Sequence, residues 1–208
     1  MRIIAGTFRS RPLQAPPGLA TRPTSDRLRE TLFNVLTPRV EGARFLDLYA
    51  GSGAVGLEAL SRGAVKVTCV ERAAPAREVL WANLRKLGVE DTVRVVSASV
   101  AEYLKRAEGP WDIVFLDPPY DAAEEYERTL QTLGGIVSLP MSQKRDLRHP
   151  SSPLLAAGAV VIAEHRRKEV LEDGYGVLKR TRLLQQGDAA LSFYSAIEAT
   201  AEEATAGE

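Results

Sequence analysis

Cysteine is almost missing from this chain: its 208 residues include one, Cys69, with only two histidines. A single thiol excludes a disulfide within the chain, and inside Val65-Lys66-Val67-Thr68-Cys69-Val70 it reads as a buried strand residue. One cysteine and two histidines do not make a structural zinc site, and no motif calls for a metal. No apolar run approaches the ~20 residues of a membrane-spanning helix. The apolar stretch of Met1-Arg2-Ile3-Ile4-Ala5-Gly6 is too short for a secretory signal, so a cytoplasmic location without a membrane partner is expected. Net charge is missing too, with 27 basic residues against 27 acidic ones. What is present is the composition of a soluble globular protein, 45% hydrophobic and 26% charged, long enough for one α/β domain with a core that needs no staples.

The balanced charge is unevenly distributed. Residues 1–44 carry eight arginines against Asp26, Glu30 and Glu41, a balance of +5, whereas 198–208 carry four glutamates and no base. An arginine-rich first fifth is either a phosphate-contacting face or a solvated one. The Ala/Glu/Thr tail has nothing to bury and is expected to be disordered. Three segments are therefore expected: a basic hairpin and helix over 1–40, a main domain over 41–197, and the acidic tail over 198–208.

Along the chain, Arg2 to Leu13 reads as a hairpin with Arg9 and Arg11 projecting at strand spacing. A helix capped by Thr24 or Ser25 follows, with Leu28, Leu32, Phe33 and Leu36 on one face, and Pro38 is expected to end it. From Phe45 the pattern alternates strand and helix: strands at 45–49, 65–70, 93–96, 111–116 and 159–164, helices at 55–60, 76–87, 100–107 and 124–133. That alternation predicts a parallel sheet covered on both faces. Gly176–Leu184 and Ala190–Ser195, joined by Gln186-Gly187-Asp188, must form an antiparallel hairpin.

Two motifs carry chemistry. Asp117-Pro118-Pro119-Tyr120 follows the apolar run Trp111–Leu116, so it lies where a strand ends. Consecutive prolines cannot continue a ladder and stiffen the turn. The Asp117 carboxylate and the Pro118 carbonyl can accept both hydrogens of an exocyclic amine, while Tyr120 stacks on the base that carries it. Such positioning favours the nucleophilic, pyramidal form of the nitrogen. The second motif, Gly51-Ser52-Gly53-Ala54-Val55-Gly56, matches G-x-G-x-x-G, with Glu71 about 20 residues on. Asp47, just before it, would repel a pyrophosphate but attract the ammonium and sulfonium of S-adenosylmethionine.

Asp47-Leu48-Tyr49-Ala50-Gly51-Ser52-Gly53 together with Asp117-Pro118-Pro119-Tyr120 resembles the class I S-adenosylmethionine-dependent methyltransferases that modify exocyclic amines. Arg2-Ile3-Ile4-Ala5-Gly6, residues 22–34 and Leu57-Glu58-Ala59-Leu60-Ser61-Arg62-Gly63-Ala64 resemble, more closely, the bacterial 16S rRNA guanine-N2 methyltransferases of the RsmD family. The resemblance runs from residue 2 to about 196. It implies a Rossmann-like α/β fold with a seven-stranded sheet in the order 3-2-1-4-5-7-6, strand 7 antiparallel. It implies S-adenosylmethionine as cofactor and 16S rRNA, or an assembling small subunit, as partner of a monomer.

By position, the resemblance assigns Asp47, Ala50, Gly51, Ser52, Gly53, Glu71, Arg72, Ser99 and Val100 to the cofactor. Ser99 stands where the family usually has an Asp that meets adenine. Asp117, Pro118 and Tyr120 fall to catalysis, and Arg9, Arg11, Arg22, Arg29, Lys144 and Arg145 to RNA. The last two lie in 136–153, which is longer than the connection the resemblance implies and is either a mobile basic loop or a plain insertion. Three rivals remain: an adenine-N6 methyltransferase acting on DNA, a dehydrogenase, and a nucleic-acid-binding assembly factor on the same scaffold.

Overall fold

Strands that are apolar on both faces can be buried only in a sheet covered on both sides, and five runs of this chain have that character. In the computed structural model, which describes residues 1–15, 25–106, 109–119, 123–138 and 154–196, they form the parallel part of one sheet. The elements are α1 (Asp26–Val40), β1 (Arg44–Leu48), α2 (Ala54–Ser61), β2 (Lys66–Val70), α3 (Ala74–Leu87), β3 (Val93–Val96) and α4 (Val100–Leu104). There follow β4 (Trp111–Leu116), α5 (Ala123–Ser138), β5 (Leu155–Arg166), β6 (Gly174–Tyr175), β7 (Leu178–Gln186) and β8 (Ala189–Ala196).

The sheet runs β3-β2-β1-β4-β5-β8-β7-β6. β1 to β5 are parallel, and β8 is antiparallel to both β5 and β7. The expected seven strands are all present in the expected arrangement, and β6 is an eighth. Two residues are too few to show a period. They are held because the buried Tyr175 ring meets Tyr194 edge-on, 5.7 Å between centroids. Alternation of side chains splits the core. Phe45, Ile113 and Ile162 pack under α1, α2 and α3, and Leu46, Val114 and Val161 under α4 and α5.

Local chemistry sets the ends. The Ser25 hydroxyl caps α1 by accepting from the Leu28 N–H at 3.1 Å. Pro38 does not end α1. It costs only the bond to the carbonyl four residues back, and burial of Leu36 and Val40 carries the helix one more half-turn. Gly88, at φ +70°, ends α3 in a left-handed cap. α4 stops at Leu104, α5 extends on to Ser138, and β5 starts at Leu155. Of the basic connection expected over 136–153, residues 136–138 belong to α5 and 139–153 lie outside the described residues, as does the acidic tail over 198–208.

The hairpin expected over 2–13 is reduced to one antiparallel bridge, Arg2 with Pro12, around turns at 6–11. What holds it is α2. The Glu58 carboxylate, fully buried, accepts from the N–H groups of Ile4 (2.7 Å) and Ala5 (3.0 Å) and from Arg62 Nε (2.7 Å). Ser61 accepts from the Phe8 N–H at 3.0 Å and gives its own carbonyl to Thr7. The Leu57–Ala64 motif is thus the anchor of the N-terminal segment. Glu58→Ala would strand two amides and a buried guanidinium. We expect a loss of about 3–5 kcal/mol in urea unfolding, and a smaller loss for Glu58→Gln, which keeps one of the two acceptor oxygens.

Candidate active site at the ends of the parallel strands

β1 and β4 are neighbours, but the chain leaves one towards β2 and the other towards β5. Their carboxyl ends therefore open a crevice, the usual ligand position in such sheets. The register pairs Asp47 with Phe115, Leu48 with Leu116, and Leu116 with Ala163. Extended by one residue, it sets Asp117 beside Glu164. Alternation turns Asp47, Asp117 and Glu164 to the same face as Phe45, Phe115 and Ile162. Lateral neighbours of this kind have Cβ atoms about 5 Å apart, and diagonal ones about 7–8 Å. Three carboxyl groups from three adjacent strands therefore share the floor of the crevice.

The turn above Asp47 is built from left-handed residues: Tyr49 at φ +65°, Gly51 at +55° and Gly53 at +79°. A Cβ on Gly53 would also sit 2.2 Å from Leu80 Cδ1. The Gly51 N–H donates to Glu71 Oε2 at 2.8 Å, and the Ala73 N–H to Glu71 Oε1 at 2.7 Å, so Glu71 braces the glycine turn from the tip of β2. Asp47 Oδ2 accepts from the Gly56 N–H at 2.9 Å. A Cβ there would meet Cys69 Sγ at 2.9 Å, so the last glycine of the motif allows α2 to close on the sheet.

Electrostatics follow from burial. Asp47 is 1% exposed; desolvation pushes its pKa up to about 7, against the pull of the Gly56 N–H, and the Glu71 and Glu164 charges push it further. Asp117 is held well above the usual carboxylate range, first by burial and then by Glu164 and Asp47. A crevice lined this way disfavours a phosphate and is suited to a cation. A sulfonium bearing an ammonium group fits that donor set, and the residues placed to hold it are Asp47, Glu71 and the 50–53 turn.

Of the other expected cofactor positions, the Ala50 N–H is committed to the Val70 carbonyl at 2.9 Å and Ser52 offers its carbonyl to Asn83 at 3.0 Å. Arg72 is exposed next to Glu71. Ser99 caps α4 in a capping box: its hydroxyl accepts from the Glu102 N–H at 3.2 Å and donates to Glu102 Oε2 at 2.7 Å. Val100 is buried beneath it. Pro118 is buried after Asp117, and Tyr120 lies outside the described residues.

Among the expected RNA contacts, Arg9 and Arg11 are exposed, while Arg22, Lys144 and Arg145 lie outside the described residues. Arg29 is a correction. It is fully buried, bonded to the Arg2 carbonyl and to Asp26 Oδ1 (3.0 Å), with Glu58 3.8 Å away. It ties α1 to the N-terminal segment, because Leu28, Leu32 and Leu36 turn its side of the helix inwards.

Three residues of the site escaped the sequence reading. Asn83, buried on α3, accepts from the Gln14 N–H at 2.7 Å and donates to the carbonyls of Ser52 and Gln14. The Tyr49 hydroxyl donates to Glu125 Oε2 at 2.8 Å and meets Thr129 Oγ1 at 2.9 Å, pinning the first turn of α5 to the glycine turn. Glu164 had a signal, a charge directly after Val160-Val161-Ile162-Ala163, and Tyr49 lay within the Asp47–Gly53 motif without a role assigned to it; nothing in the pattern around Asn83 marked it.

A buried acid with a raised pKa binds its proton more tightly folded than unfolded. Stability conferred at low pH is therefore lost as pH rises from 3.8 towards 7. Asp47→Asn, which keeps the acceptor for Gly56, should flatten the decline in unfolding free energy between pH 5 and 8 by up to about 3 kcal/mol. Parallel urea titrations of the two proteins check this.

A family model described as Conserved hypothetical protein 95 matches residues 1–195. The ribosomal RNA small subunit methyltransferase D of Escherichia coli (strain K12) is 45% identical over 120 residues, 58% of this chain and 60% of the relative. That match thus spans less than two thirds of the relative's length. The Bacillus subtilis (strain 168) protein YlbH is 32% identical over 197 residues, 93% of this chain and 98% of that one. The solved structure of yhhF from Escherichia coli aligns with a TM-score of 0.77 at 33% identity, covering 94% of this chain and 97% of its own. With the class I methyltransferase fold and this match along nearly all its length, the chain belongs to the Conserved hypothetical protein 95 family, the RsmD family that its motifs resemble.

Proposed function

We propose that this chain transfers the methyl group of S-adenosylmethionine to the N2 amine of a guanine in 16S rRNA, free or within an assembling small subunit. The observation that carries the proposal is the placement of Asp117 beside the Asp47 and glycine-turn crevice, on the face where Asp47 acts on it electrostatically. Membership of the family supports it, as does the name of the Escherichia coli relative.

In this scheme the Asp47 carboxylate attracts the cofactor's charges and Glu71 takes the ribose hydroxyls on its remaining lone pairs. Ser99 and Val100 border the adenine, with the Glu102 carboxylate beside them. Residues 41–197 form the catalytic domain of a monomer, and 1–40 the part that meets RNA through Arg9, Arg11 and Arg22, with Lys144 and Arg145 adding to it. A guanine leaves its stack at a cost of about a few kcal/mol and lies against Tyr120, its N2 hydrogens on Asp117 and the Pro118 carbonyl. The nitrogen lone pair displaces sulfur in line. The carbon–sulfur pair stays on sulfur, and the proton released from nitrogen goes to a carboxylate oxygen of Asp117.

The test is transfer from labelled S-adenosylmethionine to unmodified rRNA, both free and in purified small subunits, followed by digestion and mass spectrometry. N2-methylguanosine is the expected product. N6-methyladenosine, or no label with tight cofactor binding, overturns the proposal. Asp117→Ala should lower single-turnover methylation at least about 100-fold while cofactor affinity measured by calorimetry stays within about twofold, as expected for a group that acts on the amine.

A further inference from the structure

We propose that Glu164 is the positioning residue for Asp117: the two carboxyl groups are neighbours, Glu164 on β5 and Asp117 just past the end of β4, hold one proton between them, and together take up the proton that leaves the methylated amine. This rests on the function proposed above and adds a residue to it.

Glu164 is 2% exposed, and its place is set from three directions. β4 fixes it through the Leu116–Ala163 pair, β8 through Glu164–Leu191, and α5 through the Tyr126 hydroxyl, which donates to the Glu164 carbonyl at 2.8 Å. Leu191 and Ile162 belong to the core cluster under α1 to α3, so the Glu164 side chain turns to that face, as Asp117 does. A carboxylate is costly to bury without compensation. The charged groups facing the pair are Asp47 from β1, with Glu71 behind it, and Arg29 from α1, on which Glu164 acts electrostatically. Arg29 also faces Glu58 and Asp26, so a single guanidinium serves three acids.

Two adjacent carboxyl groups, Glu164 fully buried and Asp117 half-buried, cannot both ionise cheaply, so one proton stays between them. The pair then carries one negative charge and one oxygen able to accept. When the carbon–nitrogen bond has formed, a nitrogen–hydrogen bond breaks and its electrons return to nitrogen. The proton goes to Asp117, the pair becomes neutral, and water takes the extra proton after the product leaves. Without the shared proton the anionic form of Asp117 is less stabilised, and the oxygen able to accept is present only at higher pH.

The experiment is the pH profile of the single-turnover rate for Glu164→Gln and the unaltered protein on the same rRNA, with cofactor affinity measured alongside. Removing the partner that shares the proton makes the anionic form of Asp117 harder to reach, so the acid limb should move to higher pH by about one unit. The plateau rate should fall about 10-fold, with cofactor affinity within about twofold. A residue that only packs would leave the limb in place, and an unmoved limb in a folded variant overturns the assignment. If Glu164→Gln does not fold, Glu164→Asp draws the carboxyl back by one methylene and should move the limb the same way; an unmoved limb there has the same force. If the unaltered protein makes no N2-methylguanosine, the proposed function fails and this assignment with it; a normal product with an unmoved limb removes Glu164 alone.

Discussion

The hydrogen bond from the Gly56 N–H to the Asp47 carboxylate is the constraint on which the crevice depends. It joins the end of β1 to the first turn of α2, and it forms only because Gly56 has no Cβ to hold the helix off Cys69 and Val67. One neutral donor does not offset full burial of a carboxylate. The crevice therefore carries an electrostatic deficit, increased by Asp117 after β4 and Glu164 on β5. A cationic ligand relieves that deficit and a phosphate worsens it. The same glycine-rich spacing that suits a dinucleotide elsewhere thus acquires a different ligand class from one acid placed just before it.

The N-terminal segment is organised by a second buried acid. Glu58 draws in the backbone of Ile4 and Ala5 and the side chains of Arg29 and Arg62. A segment with little regular structure is thereby ordered by helix α2, the same helix whose start underlies the glycine turn. Asn83 adds another link, bonding Gln14 on one side and Ser52 on the other. The position of Arg9 and Arg11 is therefore coupled to the crevice through these polar contacts as well as through Ile3 and Leu13, which are buried in the core under α1 to α3.

The motifs, the strand–helix alternation and the closing antiparallel hairpin were all legible, since each depends on local periodicity or on residues with unusual backbone behaviour. Asp47, the glycine turn, Glu71 and Asp117 were legible for the same reason: each sits at a strand end marked by glycine, proline or an isolated charge. Pro38 and the short strand β6 were not, because burial of Val40 and the packing of Tyr175 on Tyr194 outweigh local preference.

The sequence by itself determined the class of fold, the end of the sheet where the crevice opens, and the acids at the ends of β1, β2 and β4. Only the tertiary structure decided which charges face solvent and which face one another. Arg29 belongs to an arginine-rich stretch, yet helical rotation sends it into the core. Glu164 lies 47 residues from Asp117 in sequence, and parallel register alone makes them neighbours. Side-chain periodicity is a property of a few consecutive residues, whereas register and burial belong to the whole sheet, so an ion's partner is not written near it in the chain.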